Sequence, residues 1–224
     1  GTNPCGEIML RDMEFCNLSE VVVREDDDLD TLLDKVETAT WIGVLQSTFT
    51  NFPYLRPAWK KNCDVERLLG VSLTGQMDNP TVLSSEGLKA LKSRVLRISR
   101  KAAALLDVNM SVATTCVKPS GTVSQLVDSA SGCHPRFSQY YIRRYRISTS
   151  DPLFQMLKAQ GVPCFPENEQ DAKTASTWVL EFPVKSPEGC LTRKDVTAMD
   201  QLKHYKSLQL NWCEHNASMT VYVR

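Results

Sequence analysis

Asn3, Cys5 and Glu7 occupy alternate positions at the opening of the chain, with Pro4 and Gly6 between them. A thiol and a carboxylate two positions apart on a tight turn can present a sulfur and a base to one substrate. A second thiol follows at Cys16, within Phe15-Cys16-Asn17-Leu18-Ser19-Glu20. Two thiols and a base form a kit for redox chemistry on an alcohol. The other candidate is Lys118-Pro119-Ser120-Gly121-Thr122-Val123-Ser124, small hydroxyl residues and a glycine on a turn after a β-prone stretch. Backbone N–H and hydroxyl groups on such a turn can converge on phosphate oxygens. Its spacing is not that of a Walker loop, and taken alone a Pro-Ser-Gly-Thr turn is more often only a turn.

Other reactive residue types receive plainer expectations. His134 lies in Gly132-Cys133-His134-Pro135-Arg136, and Cys213 and His215 flank Glu214. Structural zinc wants four suitably spaced ligands, and these pairs are isolated. They are expected to be core cysteines and hydrogen-bonded histidines, with no metal. A Cys/His protease dyad would need one of the three histidines beside Cys5, which sequence does not show. Arg143-Arg144-Tyr145-Arg146, beside Tyr140-Tyr141, could hold an anion. An edge strand with alternating exposed charge is the favoured expectation.

The elements that position these residues are legible from pattern. Val21 to Val23 is short and β-branched, and the acidic run Glu25 to Asp28 leads into an amphipathic helix over roughly 30 to 49. Residues 51–62, with Pro53, Pro57 and interleaved aromatics, read as a loop. Leu69 to Gly75 reads as a buried strand. Ser84 or Ser85 caps a helix whose Leu88, Leu91, Val95, Ile98, Ala102 and Leu105 form one stripe, with a basic, solvated outer face. Ser111 to Val117 is β-prone, Asp151 to Gln160 is a helix stopped by Gly161, and Thr177 to Val184 alternates like a strand. Thr192 with Asp195 resembles a capping box for a helix reaching about Trp212, and Met219 to Val223 reads as a last strand. Strands alternating with long helices predict an α/β fold with substantial parallel pairing.

Composition narrows the classes. The 224 residues are 42% hydrophobic, enough for a core and one catalytic unit. The 26 lysines and arginines equal the 26 aspartates and glutamates. That balance makes no global case for nucleic acid or an anionic membrane, so phosphate binding must be local. Eight cysteines without a CxxC pair read as a reducing cytoplasm. No run approaches the roughly 18 apolar residues of a membrane span.

The opening segment resembles the catalytic loop of ribonucleotide reductases, Asn-x-Cys-x-Glu followed by a second redox cysteine. The resemblance continues through Leu69 to Gln76, Val117 to Ser124, Gly132 to Ser138, Tyr141 to Arg144 and Glu214 to Val221. These ordered blocks are most similar to the adenosylcobalamin-dependent, class II, monomeric ribonucleoside-triphosphate reductases. That resemblance implies an α/β fold that is part of a ten-stranded α/β barrel, with Cys5 on a finger loop through its centre. It makes residues 1–224 a fragment of the catalytic barrel domain, inactive alone, with flanking parts of the parent absent. It also implies that Cys5 carries a thiyl radical generated with adenosylcobalamin, Glu7 acts as base, Asn3 orients the ribose hydroxyls, and Cys16 supplies half of the reducing dithiol. Pro119, Ser120, Gly121, Thr122, Val123 and Ser124 would hold the substrate phosphates. The implied partners are a ribonucleoside triphosphate, a deoxynucleotide effector and a thioredoxin-like reductant. The implied product serves DNA synthesis, in a cytoplasmic monomer.

Two alternatives stand beside this expectation. One is the large subunit of a ribonucleoside-diphosphate reductase whose thiyl comes from a separate metallosubunit. The other is a catalytically silent nucleotide-binding module, against which the intact Asn3, Cys5, Glu7 and Cys16 argue.

Overall fold

In a computed structural model, which describes residues 1–223, two short strands open the architecture. Strand β1 (Asn17–Val22) lies parallel to β2 (Leu69–Thr74), pairing Asn17 with Leu69 through Val22 with Thr74. The connection is helical, through α1 (Leu29–Ser47) and α2 (Pro57–Glu66). Parallel strands need such a crossover because a tight turn cannot reverse the chain twice. Two further parallel bridges, Val71 to Thr115 and Val117 to Ala217, lay the 115–117 and 217 segments beside β2 in turn. Four chain segments thus run side by side, and the described residues form no closed barrel.

Capping sets the helix starts. Asp28 accepts from the Thr31 N–H at 2.8 Å while the Asp28 N–H donates to the Thr31 hydroxyl, a reciprocal box that starts α1. The Ser84 hydroxyl accepts from the Gly87 N–H at the start of α3 (Ser85–Leu105). Its stripe Leu88, Leu91 and Val95 packs with Leu32 and Val36 of α1 and Val71 and Leu73 of β2 into the main core, which Leu208 and Trp212 complete. On the outer side of α3, Arg94 pairs with Glu37 at 2.9 Å.

Several expectations are corrected. Residues 57–62, expected as loop, instead begin helix α2, because Pro57 sits at the first helical position, where its missing N–H is no loss. The segment 111–117 forms single bridges and no strand, and residues 219–223 are irregular. Thr192 and Asp195 do bond each other, at 2.6 Å, but close a turn. The last helix, α6 (Ala198–Asn211), starts from a second Thr/Asp box, Thr197 with Asp200. A four-residue helix, α4 (Val123–Leu126), follows the candidate phosphate turn.

The chain divides into two compact units, residues 1–136 with 188–224, and residues 137–187. The second unit is antiparallel: β3 (Tyr140–Ser148), α5 (Pro152–Ala159), β4 (Cys164–Pro166) and β5 (Thr177–Lys185), in sheet order β3-β5-β4. Its core is Ile147, Phe154, Trp178 and Leu180. Arg143 and Arg144 lie on edge strand β3, where Arg144 faces Glu181 of β5 and donates to it at 2.9 Å.

Candidate active site

Residues 1–10 fold back on themselves as a hairpin. Thr2 bridges Met9 antiparallel, the Leu10 N–H donates to the Gly1 carbonyl, and the Gly6 N–H closes a turn onto the Asn3 carbonyl at 3.0 Å. Gly6 takes φ +75°, a region that costs a glycine nothing, so the chain reverses immediately after Cys5. The Cys5 thiol is exposed at the tip. Beside it opens a groove of about 350 Å³, lined by Leu202, Tyr205, Met219 and Val221 among others.

Glu7, two residues on, is 0% exposed. Asn3 places it: the Ile8 N–H donates to Asn3 Oδ1 at 3.0 Å, which turns Asn3 Nδ2 onto Glu7 Oε1 at 2.6 Å. Lys118 Nζ reaches the same oxygen at 2.5 Å. Glu7 Oε2 has no hydrogen-bond partner. Burial alone would push the Glu7 pKa up. The Lys118 and Asn3 hydrogen bonds and the nearby ammonium outweigh it and hold the carboxyl below its ordinary value. The Asn216 N–H donates to the Glu7 carbonyl at 2.9 Å, tying the hairpin to the segment after α6.

Cys16 is half-buried where the chain enters β1. Burial pushes its thiol up to about 12, opposed by Lys118 and reinforced by the charges of Glu14 and Glu7, so it rests protonated. A Cβ on Gly70 would lie 3.2 Å from Cys116 Sγ, 3.4 Å from Cys16 Sγ and 2.5 Å from a Leu18 methyl. Glycine at this point lets the two sulfurs and Leu18 crowd against β2.

At the phosphate turn, Ser120 takes φ +48° and donates its hydroxyl to Glu20 Oε2 at 2.7 Å. Ser72 donates to the other Glu20 oxygen at 2.9 Å and accepts the Lys118 N–H at 3.0 Å. Burial pushes Glu20 up despite these bonds. The Ser120 hydroxyl is therefore committed below the turn. Gly121, Thr122 and Val123 are exposed, and their backbone N–H groups meet no acceptor among the described residues. Ser124 is buried and bonds back to the Ser120 and Gly121 carbonyls. Pro119 offers its carbonyl to the Ser131 hydroxyl.

The histidines serve the framework. His134 Nδ1–H donates to the Ser131 carbonyl and its Nε2 accepts from the Thr220 N–H, both at 2.8 Å. His204 Nε2 meets Gln76 Oε1 at 2.7 Å, and His215 Nε2 meets the Leu69 carbonyl at 2.8 Å. Burial pushes all three below the usual imidazole value, His204 to about 4. Because the unfolded chain takes protons from about pH 6.5 downward and these folded sites resist them, stability is expected to fall as pH drops from 6.5 toward 4. A urea midpoint lower at pH 5 than at pH 7 checks this, and equal midpoints would contradict it.

The sequence reading passed over three groups: Lys118, quoted without a role; Glu20, under the phosphate turn; and the Asp78–Arg136 pair. Arg136 bonds Asp78 through Nε at 2.8 Å and Nη2 at 2.9 Å, both side chains being 3% exposed. Asp78 and Arg136 lie 58 residues apart, and no local pattern in the sequence marks their pairing.

An exposed thiol on a hairpin tip and a buried carboxylate two residues on thus share one short segment, and along nearly its whole length the chain is similar to ribonucleotide reductases. It is 30% identical to the adenosylcobalamin-dependent ribonucleoside-triphosphate reductase of Lactobacillus delbrueckii subsp. bulgaricus, over 99% of this chain and 34% of that protein. The probable adenosylcobalamin-dependent reductase of Dictyostelium discoideum and the Euglena gracilis enzyme are each 29% identical, over 99% of this chain and 29% and 30% of theirs. The chain spans about a third of the length of these curated relatives. A crystal structure of a B12-dependent, class II ribonucleotide reductase superposes with a TM-score of 0.80 at 26% identity, covering 99% of this chain and 35% of the other. No family model matches.

Proposed function

We propose that this chain carries the thiyl cysteine and its base in an adenosylcobalamin-dependent reductase that converts ribonucleoside triphosphates to 2′-deoxyribonucleotides. The carrying observation is the hairpin: an exposed Cys5 two residues from a buried Glu7, whose Oε2 is left unpartnered. In this reading its parallel segments belong to a ten-stranded α/β barrel, with the hairpin as the central finger.

Adenosylcobalamin, when bound, supplies the 5′-deoxyadenosyl radical that oxidises a thiol by removing its hydrogen atom. The residues present fit it. Cys5 is uncovered beside a groove whose Leu202, Tyr205, Met219 and Val221 offer apolar contact. All three histidines are already hydrogen-bonded, which suits a cofactor that brings its own cobalt ligands.

In the reaction, the Cys5 thiyl takes the hydrogen atom from C3′ of the ribose. Glu7 Oε2 accepts the 3′-hydroxyl proton, and the 2′-hydroxyl leaves as water. Asn3 orients the sugar hydroxyls. Cys16 and a partner thiol become a disulfide, giving one proton to the departing hydroxyl, one proton to C2′ and two electrons to the sugar; Glu7 returns its proton to the 3′-oxygen and Cys5 returns the hydrogen atom to C3′. A thiol suits this reversible transfer because S–H and activated C–H bonds are close in strength. The N–H groups of Gly121, Thr122 and Val123 face the phosphates, with Pro119, Ser120 and Ser124 shaping the turn. A thioredoxin-like dithiol recharges the site, a deoxynucleotide acts as effector, and a single subunit works in the cytoplasm, where Cys16 stays reduced.

The complete reductase carrying this chain, mixed with adenosylcobalamin, effector and reductant, is expected to develop a coupled cob(II)alamin–thiyl paramagnetic signal and to form deoxyribonucleotide. Product formation that needs a metallosubunit and ignores the cobalamin would sink the proposal.

A further inference from the structure

We propose that Lys118 is a positioning residue for the reaction, holding Glu7 as a charged base with one oxygen turned free for the substrate hydroxyl. The proposal rests on the reading of Glu7 as base and adds the group that makes it one.

The distribution of donors on Glu7 is lopsided. Lys118 Nζ and Asn3 Nδ2 both bond Oε1, at 2.5 and 2.6 Å, while the equally buried Oε2 bonds nothing. A buried acceptor without a donor costs free energy, and a catalytic role is one reason a fold retains one. Asn3 also favours the charged form through its N–H, but as a neutral amide it adds no ionic attraction, whereas Lys118 supplies both a hydrogen bond and a charge. The groups whose charges reach Glu7 are Cys16, Glu20, Cys116 and His215, together with Lys118. His215 resists protonation through its burial. Among these described groups Lys118 alone brings a positive charge.

Lys118 is itself firmly placed. Its N–H donates to Ser72 Oγ, which in turn donates to Glu20. It also directly precedes the turn 119–124, so the residue that charges the base is one step along the backbone from the candidate phosphate cradle. Docking the phosphates there fixes the main chain from which Lys118 reaches Glu7. Loss of Lys118 should therefore act on the chemical step more than on binding.

The test is the pH dependence of kcat and KM in the complete holoenzyme, for the parent and for Lys118→Met, Lys118→Arg and Glu7→Gln. Lys118→Met is expected to lower kcat at neutral pH by at least about tenfold, with KM changed by less than about threefold. Its acid limb should move upward by about 1 to 3 pH units, the span over which a neighbouring opposite charge acts. Lys118→Arg keeps the charge and should return the limb to its original position. If Lys118→Met does not fold, Lys118→Gln, which keeps a donor without the charge, gives the same reading. An unmoved acid limb, or a loss confined to KM, overturns the role of Lys118. A Glu7→Gln enzyme that still turns over instead overturns Glu7 as base, so the two failures are separable.

Discussion

A Cys5→Ser enzyme is expected to lose ribonucleotide reduction by at least about 10⁴-fold, a barrier increase of about 5.4 kcal/mol, while binding nucleotide as before. The O–H bond is much stronger than S–H, so the serine hydrogen is not readily removed and no radical forms to pass to the sugar. The fold should not notice the change. Cys5 is exposed, and the hairpin is closed by main-chain bonds, Gly6 N–H to Asn3 and Leu10 N–H to Gly1, that do not involve its side chain. A surface change of this kind alters stability by less than about 0.5 kcal/mol. Deoxyribonucleotide formation and nucleotide affinity, measured side by side, check the prediction. Retained turnover would remove Cys5 from the chemistry.

The second large effect is on stability. Asp78→Asn is nearly isosteric but takes the buried carboxylate from the Arg136 guanidinium, and breaking a buried pair costs about 3–5 kcal/mol. Asp78 meets Arg136 through both oxygens, and its Oδ2 also accepts the Ala130 N–H at 2.8 Å. Asp128 touches the same guanidinium at 3.0 Å, but its side chain is 72% exposed and solvent-screened. Against a total of about 5–15 kcal/mol for a typical domain, the loss is severe. The urea midpoint of the complete protein should fall markedly, and the double change Asp78→Asn, Arg136→Met should recover part of it by removing the buried guanidinium as well. An unchanged midpoint for the single variant would show that the pair contributes little. Because the pair clips the turn after β2 to the segment following α4, the phosphate turn should also loosen, seen as weaker nucleotide binding.

What could be read from sequence was local. The Asn3-Cys5-Glu7 alternation, the acidic start of α1 and the Leu88-Leu91-Val95 stripe are each set by residues a few positions apart. Errors arose where one local pattern had two outcomes. In both Thr192/Asp195 and Thr197/Asp200 the threonine N–H and hydroxyl meet the aspartate carboxylate, but the Asp195 N–H donates to the Thr192 carbonyl whereas the Asp200 N–H donates to the Thr197 hydroxyl, completing the box that opens a helix. Pro57 read as a breaker although it starts α2. The border of the second unit at Phe137 and Pro187 carries no composition change and was invisible. Within the site, Lys118 on Glu7, Ser120 on Glu20 and Arg136 on Asp78 join residues far apart in the chain, and a single sequence does not state such pairings.

The bond from the Asn216 N–H to the Glu7 carbonyl has a consequence for the order of assembly. It closes a loop over nearly the whole chain, and loop-closure entropy makes such a contact late to form. During synthesis, Cys5 and Glu7 leave the ribosome long before the segment that anchors them. The hairpin therefore waits, and a nascent chain has the thiol without its secured base. The hairpin gains this anchor only when the segment after α6 has docked.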